Sequence, residues 1–282
     1  MGNIKVLKGA NNWLFYKRNN SLDNFQNKTL LTDEELKIIA EYLSNIDEWC
    51  RKHNKSFYYF IAPDKNKVYG EHITILKKLR PDSESRANQL INYLRKNTKV
   101  NVIYPIDTLL KNKKKGLLYY KHDTHWNLFG AYFGYLELIK QIQKKYKQVQ
   151  PIKYSKLETS HMETGDLDPM INYNVPKDKS EYFIPVIDKK AVCKFNAKDK
   201  DKKKGFECSN KSKKLNAIIF RDSFTISLEE YLSNTFNKMK FEWKAEISSE
   251  DKKDILKNFD IVILENVERY IPTILNLKFS KE

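Results

Sequence analysis

Thr32-Asp-Glu-Glu35 opens a run in which Leu36, Ile39, Ala40, Leu43, Ile46, Trp49 and Cys50 recur on one helical face. A threonine followed three residues later by glutamate is a capping box, so the pattern predicts an amphipathic helix with a defined start. "SFYYFIAP" comes next, a β-rich apolar run stopped by Pro63, which predicts a buried strand. Leu90, Ile91 and Leu94 mark a second helix, "KVNVIYP" a second strand, and residues 128–142 a third, strongly apolar helix. "KLNAIIF" (214–220) predicts a strand, and 227–236 a helix with its own box from Ser227 to Glu230. "FDIVILENV" is a last core strand. Strands alternating with amphipathic helices imply a three-layer α/β fold with a mainly parallel central sheet.

Two stretches break the alternation. Residues 159–174 ("TSHMETGDLDPMINYN") are polar, hold Gly165 and Pro169, and predict a long loop. Residues 194–214 carry nine lysines against Asp199, Asp201 and Glu207, a net +6 (9 − 3). A solvated excursion, in the form of a hairpin, and an anion-binding patch are both open readings there. With no internal repeat and no linker, residues 1–282 read as one domain carrying that lysine-rich excursion around 194–214.

Composition narrows the class. With 40% hydrophobic and 13% aromatic residues the chain can bury a sizeable core, which excludes a disordered tail. Fifty-two Lys+Arg against 36 Asp+Glu leave +16, a balance that favours polyanions or membrane surfaces. The lysines are spread among Asn, Ile and Tyr, however, as AT-rich coding also produces. Cys50, Cys193 and Cys208 have no CxxC spacing, which argues against a disulfide framework or zinc site and leaves only a Cys193–Cys208 pair open. No run approaches the roughly 18 apolar residues of a spanning helix, and residues 1–10 lack a signal-peptide core. As written the chain reads as cytoplasmic; trimmed of an anchor, it would belong to the cell envelope.

The candidate chemistry sits in two places. "KHDTHWNLFGAY" (121–132) offers His122, Asp123 and His125 before the apolar helix. "IIFRDSFT" places Arg221, Asp222 and Ser223 between a buried strand and a helix, where open α/β sheets bind ligands. On an extended segment Asp123 and His125 share a face, so the carboxylate can orient the imidazole and leave Nε2 to activate a hydroxyl. A serine hydroxyl needs such a base. The alternatives are a metal site made of His122, Asp123 and His125, a polar turn, and, for Asp222-Ser223, a simple helix cap. Spacing alone leaves contact between His125 and Ser223 undecided.

"DTHWN" with the downstream "RDSF" resembles the SGNH-hydrolase-like domains of the bacterial alginate and exopolysaccharide O-acetyltransferase family. "NNWLFY", "IAPDKNKVYGE", "TGDLDPM" and "ILENVERY" are similar to further family segments in the same order, over roughly residues 11–270. The resemblance implies an SGNH-like fold and O-acetyl transfer to a cell-surface polysaccharide or its precursor through an acetyl-serine. An esterase and a non-catalytic glycan-binding module are the alternatives. It implies Ser223 as nucleophile, His125 as base and Asp123 as its orienting partner. Arg221 stands where the ordinary SGNH serine block has glycine, so the Ser223 N–H is the expected oxyanion donor. Arg221, Trp126, Asp64, Lys65 and Tyr69 are expected to line the substrate rim, although Trp126 also suits a core position. The implied partners are a glycan acceptor, acidic or lipid-linked, and an acetyl donor, either acetyl-CoA or a membrane-bound O-acyltransferase. Peripheral membrane contact fits the charge. No nucleic acid, metal or cofactor is expected.

Overall fold

The computed structural model describes residues 5–74, 84–171, 175–195 and 205–280. It opens with β1 (Val6–Lys8), β2 (Leu14–Tyr16), α1 (Ser21–Phe25) and α2 (Asp33–Lys52), followed by β3 (Ser56–Ala62) and α3 (Lys65–Val68). Next come α4 (Arg86–Asn97), β4 (Asn101–Ile103), α5 (Ile106–Asn112) and α6 (Leu128–Gln143). The strands β5 (Tyr154–His161), β6 (Glu181–Ile187), β7 (Val192–Phe195), β8 (Phe206–Ser209) and β9 (Asn216–Phe220) lead to α7 (Glu229–Thr235). β10 (Lys238–Glu242), α8 (Ser249–Asn258) and β11 (Ile261–Val267) complete the set. The α2 capping box forms as its sequence predicts: Thr32 Oγ1 accepts from the Glu35 N–H at 3.2 Å, and Glu35 Oε2 accepts from the Thr32 N–H at 2.8 Å.

Seven strands form the central sheet in the order β4-β3-β11-β9-β10-β8-β7. The first five are parallel, and β8 and β7 extend the edge antiparallel. Pleating sends alternate side chains to opposite faces. Phe57, Tyr59 and Ile61 of β3, with Ile218, Phe220, Val262 and Leu264, pack on Leu43 of α2, Leu90 of α4 and Ile255 of α8. Tyr58, Phe60, Ile219 and Ile263 meet Tyr135 and Leu138 of α6 and Leu232 of α7 on the other face. Three layers result, as predicted. Because the chain steps outward from β3 to β4 and from β9 to β10, with β11 inserted between, the carboxyl ends of β3, β9 and β11 lie together.

Three local expectations need correction. The segment 159–174 is not loop throughout, since residues 159–161 finish β5, which pairs antiparallel with β6 in a separate two-stranded sheet. Backbone pairing to β6 overrides the polar composition, and β5 is almost wholly exposed. The box from Ser227 to Glu230 does not form. Ser223–Leu228 is a 3-10 turn, α7 starts at Glu229 without a side-chain cap, and the Ser227 hydroxyl points to the Trp126 carbonyl at 3.5 Å. The lysine-rich stretch 194–214 starts in β7, which pairs antiparallel with β8 at the edge of the main sheet and is joined to it by a Cys193–Cys208 disulfide, and it runs on past β8 to just before β9; residues 196–204 lie outside the described residues. Finally, residues 121–125 are a series of bends and not an extended segment.

Candidate active site

The bends bring Asp123 to His125 in a different way from a strand. Asp123 Oδ1 accepts from the His125 backbone N–H at 2.8 Å, a side-chain turn that caps the backbone two residues on. The same oxygen lies 2.7 Å from His125 Nδ1, so one carboxylate fixes both the main chain and the ring. Oδ2 accepts from the Asp166 N–H at 3.0 Å. Burial alone would raise the Asp123 carboxyl, but the His125 ring, its charge and these two N–H donors outweigh it and hold the group below its ordinary range. His125 Nε2 then lies 2.7 Å from Ser223 Oγ. An unbroken hydrogen-bonded chain runs from carboxylate to hydroxyl.

Ser223 is set by the ends of two strands. Asp222 Oδ1 accepts from the Phe224 N–H and Oδ2 from the Val267 N–H, both at 2.8 Å, pinning the turn after β9 to the end of β11. Glu265 of β11 takes the Asp222 N–H at 3.1 Å and the Thr225 hydroxyl at 2.7 Å. Burial pushes the Glu265 carboxyl well above its usual range, and the neighbouring Asp222 carboxylate pushes it further. The Phe224 ring lies 4.8 Å from the His125 ring, and Trp126 Nε1 donates to the Phe224 carbonyl at 2.9 Å. Thus adjacent residues of "DTHW" grip adjacent residues of "RDSF" across 98 positions of chain.

His122 turns away, which breaks the three-ligand set considered from sequence. Its Nδ1 lies 2.8 Å from Asp168 Oδ1 and its Nε2 3.0 Å from the Asn12 carbonyl, fully buried. The five residues expected at the substrate rim also need correction, because every one is buried. Arg221 pairs with Glu229 at 3.0 Å and stacks over Trp243. Asp64 pairs with Arg269, and Tyr69 accepts from the Leu118 N–H at 2.9 Å. Lys65 donates to three backbone carbonyls, and Trp126 is 0% exposed. Charged or aromatic side chains next to strand ends read as a rim in sequence; here paired partners make burial affordable. These residues carry the site from beneath.

A model of a protein family described as SGNH hydrolase-like domain, acetyltransferase AlgX, matches residues 6–204, well over half of the chain. The chain belongs to this family. The matched region contains Asp123 and His125 and ends before β9 and the turn that carries Ser223. Among solved structures, the O-acetyltransferase domain of Pseudomonas putida AlgJ is similar at 18% identity and TM-score 0.60, over 95% of this chain and 92% of that one. Bacillus cereus PatB1 is similar at 14% identity and TM-score 0.65, over 95% and 97%. A DHHW family protein from Eubacterium siraeum reaches 18% and 0.61, over 86% and 89%. At such identities the likeness is one of fold. No curated protein matches the chain in sequence.

Site residues that the sequence reading missed come from two quoted segments. Asp166, in "TGDLDPM", takes the Thr124 N–H at 2.7 Å and the Thr124 hydroxyl at 2.6 Å, with its carboxylate 3.6 Å from His125 Nδ1. Burial and the nearby Asp123 charge raise its carboxyl. Gly165 allows this approach, since a Cβ there would overlap the His122 carbonyl. Glu265 and Arg269 lie in "ILENVERY", where charges within and just after an apolar strand were the available signal.

Proposed function

We propose that the protein is an O-acetyltransferase that moves an acetyl group to a hydroxyl of a bacterial cell-surface polysaccharide through an acetyl-Ser223 intermediate. The observation that carries this reading is the Asp123–His125–Ser223 hydrogen-bonded chain at the carboxyl ends of the sheet. His125 Nε2 takes the Ser223 proton as Oγ attacks the acetyl carbonyl, and Asp123 stabilises the imidazolium at Nδ1. The oxyanion faces the Ser223 N–H, at the first residue of the 3-10 turn. Collapse expels the donor group, which leaves with the proton from Nε2. A sugar hydroxyl then attacks the acetyl-serine, gives its proton to Nε2, and releases Ser223 when that proton returns to Oγ. The family and the named activity of the AlgJ domain favour this reading. The Cys193–Cys208 disulfide suits an oxidising compartment, so the proposed place of work is the cell envelope. Among the described residues no helix is long and apolar enough to cross a membrane, which is compatible with a donor-delivering membrane partner.

The test is partition of the acetyl group. With an acetyl ester and a surface oligosaccharide both present, a transferase should acetylate the sugar in preference to water, read by mass spectrometry of the glycan. Acetyl lost only to water, over a panel of glycans, would make the protein an esterase. In the same assay Asp166→Asn should slow acylation of Ser223 about 10- to 100-fold, the equivalent of a hydrogen bond to a charged group. An asparagine cannot offer two acceptor oxygens to Thr124. An unchanged rate would remove Asp166 from the account.

A further inference from the structure

We infer that Lys65 is a positioning residue for Asp123 and His125, acting from beneath the site through three hydrogen bonds to the backbone that carries them. The inference rests on the triad reading above. Lys65 Nζ donates to the carbonyls of Tyr120, Lys121 and Asp123 at 3.2, 3.0 and 2.6 Å. Tyr120 precedes, and Lys121 and Asp123 belong to, a stretch of bends with little ladder of its own; the Tyr120 N–H reaches the His125 carbonyl only at 3.4 Å, and of the three carbonyls that of Lys121 also accepts from the Leu14 N–H, at 3.0 Å. Buried carbonyls need partners, and an ammonium supplies three protons from one point. Glutamine would supply two, and a planar guanidinium cannot converge on one point.

Lys65 is itself held. It is the first residue of α3, directly after Asp64, whose carboxylate pairs with Arg269. Its Nζ lies 5.6 and 5.4 Å from the ring centroids of Trp13 and Phe15. At 2% exposure it cannot touch substrate. It therefore couples the end of β3 to the loop that aims the imidazole.

The charges around Lys65 give the inference a readable pH signature. Burial pushes the ammonium down to about 7, against the Asp123, Asp166 and Asp178 carboxylates that favour its charge and with the Arg269 cation that opposes it. Loss of one proton leaves two N–H groups for three carbonyls. Ser223 reactivity should therefore fall as pH rises above about 7. Stability should move the other way. A lysine depressed from 10.5 to about 7 binds fewer protons folded than unfolded between those values, so its contribution to stability rises with pH. Alkaline unfolding is thereby distinguished from loss of positioning.

The experiment is the burst of p-nitrophenol from p-nitrophenyl acetate across pH, with thermal melts at each pH. Wild type should show a descending limb in acylation rate above about pH 7 without loss of melting temperature. Lys65→Met should acylate about 10- to 100-fold more slowly with little change in KM and no descending limb. Lys65→Arg, charged throughout, should also lack that limb, and decides the matter if Lys65→Met does not fold. A wild-type profile without the limb, a limb kept in Lys65→Arg, or a folded Lys65→Met with wild-type rate would each overturn the inference. Ser223→Ala runs alongside. A burst surviving in it would sink the triad reading itself, whatever the Lys65 variants do.

Discussion

Ser223→Ala should lower kcat/KM for an acetyl ester about 10⁴- to 10⁶-fold, the loss seen when a triad nucleophile is removed. The expected size follows from the single role of the hydroxyl. Ser223 Oγ lies 2.7 Å from His125 Nε2, whereas the turn is held by Asp222 through the Phe224 and Val267 N–H groups and by Glu265 through the Asp222 N–H. None of those bonds involves the serine side chain. The variant should therefore melt close to wild type while losing turnover, and thermal unfolding beside steady-state kinetics reads both. A variant that keeps more than a tenth of wild-type turnover would place the nucleophile elsewhere.

Asp123→Asn should cost about 10⁴-fold in kcat. The carboxylate accepts three N–H groups: the His125 backbone and Nδ1 on Oδ1, and the Asp166 backbone on Oδ2. An amide has one acceptor oxygen, so in either orientation its NH₂ faces a donor. If the NH₂ faces Asp166, the "TGDL" segment is pushed off; if it faces His125, the imidazole changes tautomer and Nε2 can no longer take the serine proton. Because Asp123 is held below the ordinary carboxylate range, it stays ionised at neutral pH and adds no acid limb of its own there. Kinetics with a near-UV spectrum separate lost turnover from a lost fold.

How far these positions can be read from sequence depends on whether a residue's partner is local. The capping box of α2, the apolar β3, β9 and β11 and the long α6 carry their own signals, and the three-layer arrangement follows from their alternation. The Asp123–His125 contact is local too, though it forms by a turn and not by the face-sharing of a strand. What spacing leaves open is every long-range pairing. Nothing local distinguishes a lysine that reaches solvent from one that feeds three carbonyls nearly sixty residues away, as Lys65 does. Arg221 and Asp64 are hidden for the same reason, since Glu229 and Arg269 make their burial tolerable and only the fold brings the latter pair together. Pairing to β6 likewise turned polar residues 159–161 into strand.

The most direct test of the account is the site of covalent acetylation. Protein mixed with p-nitrophenyl acetate and quenched within the first turnover should gain the mass of one acetyl group, and peptide mapping should find it on the hydroxyl of Ser223. The adduct should disappear on adding an acceptor oligosaccharide. A stable, fully active protein that never carries acetyl, or carries it on another residue while Ser223→Ala keeps its rate, would contradict the acetyl-serine mechanism.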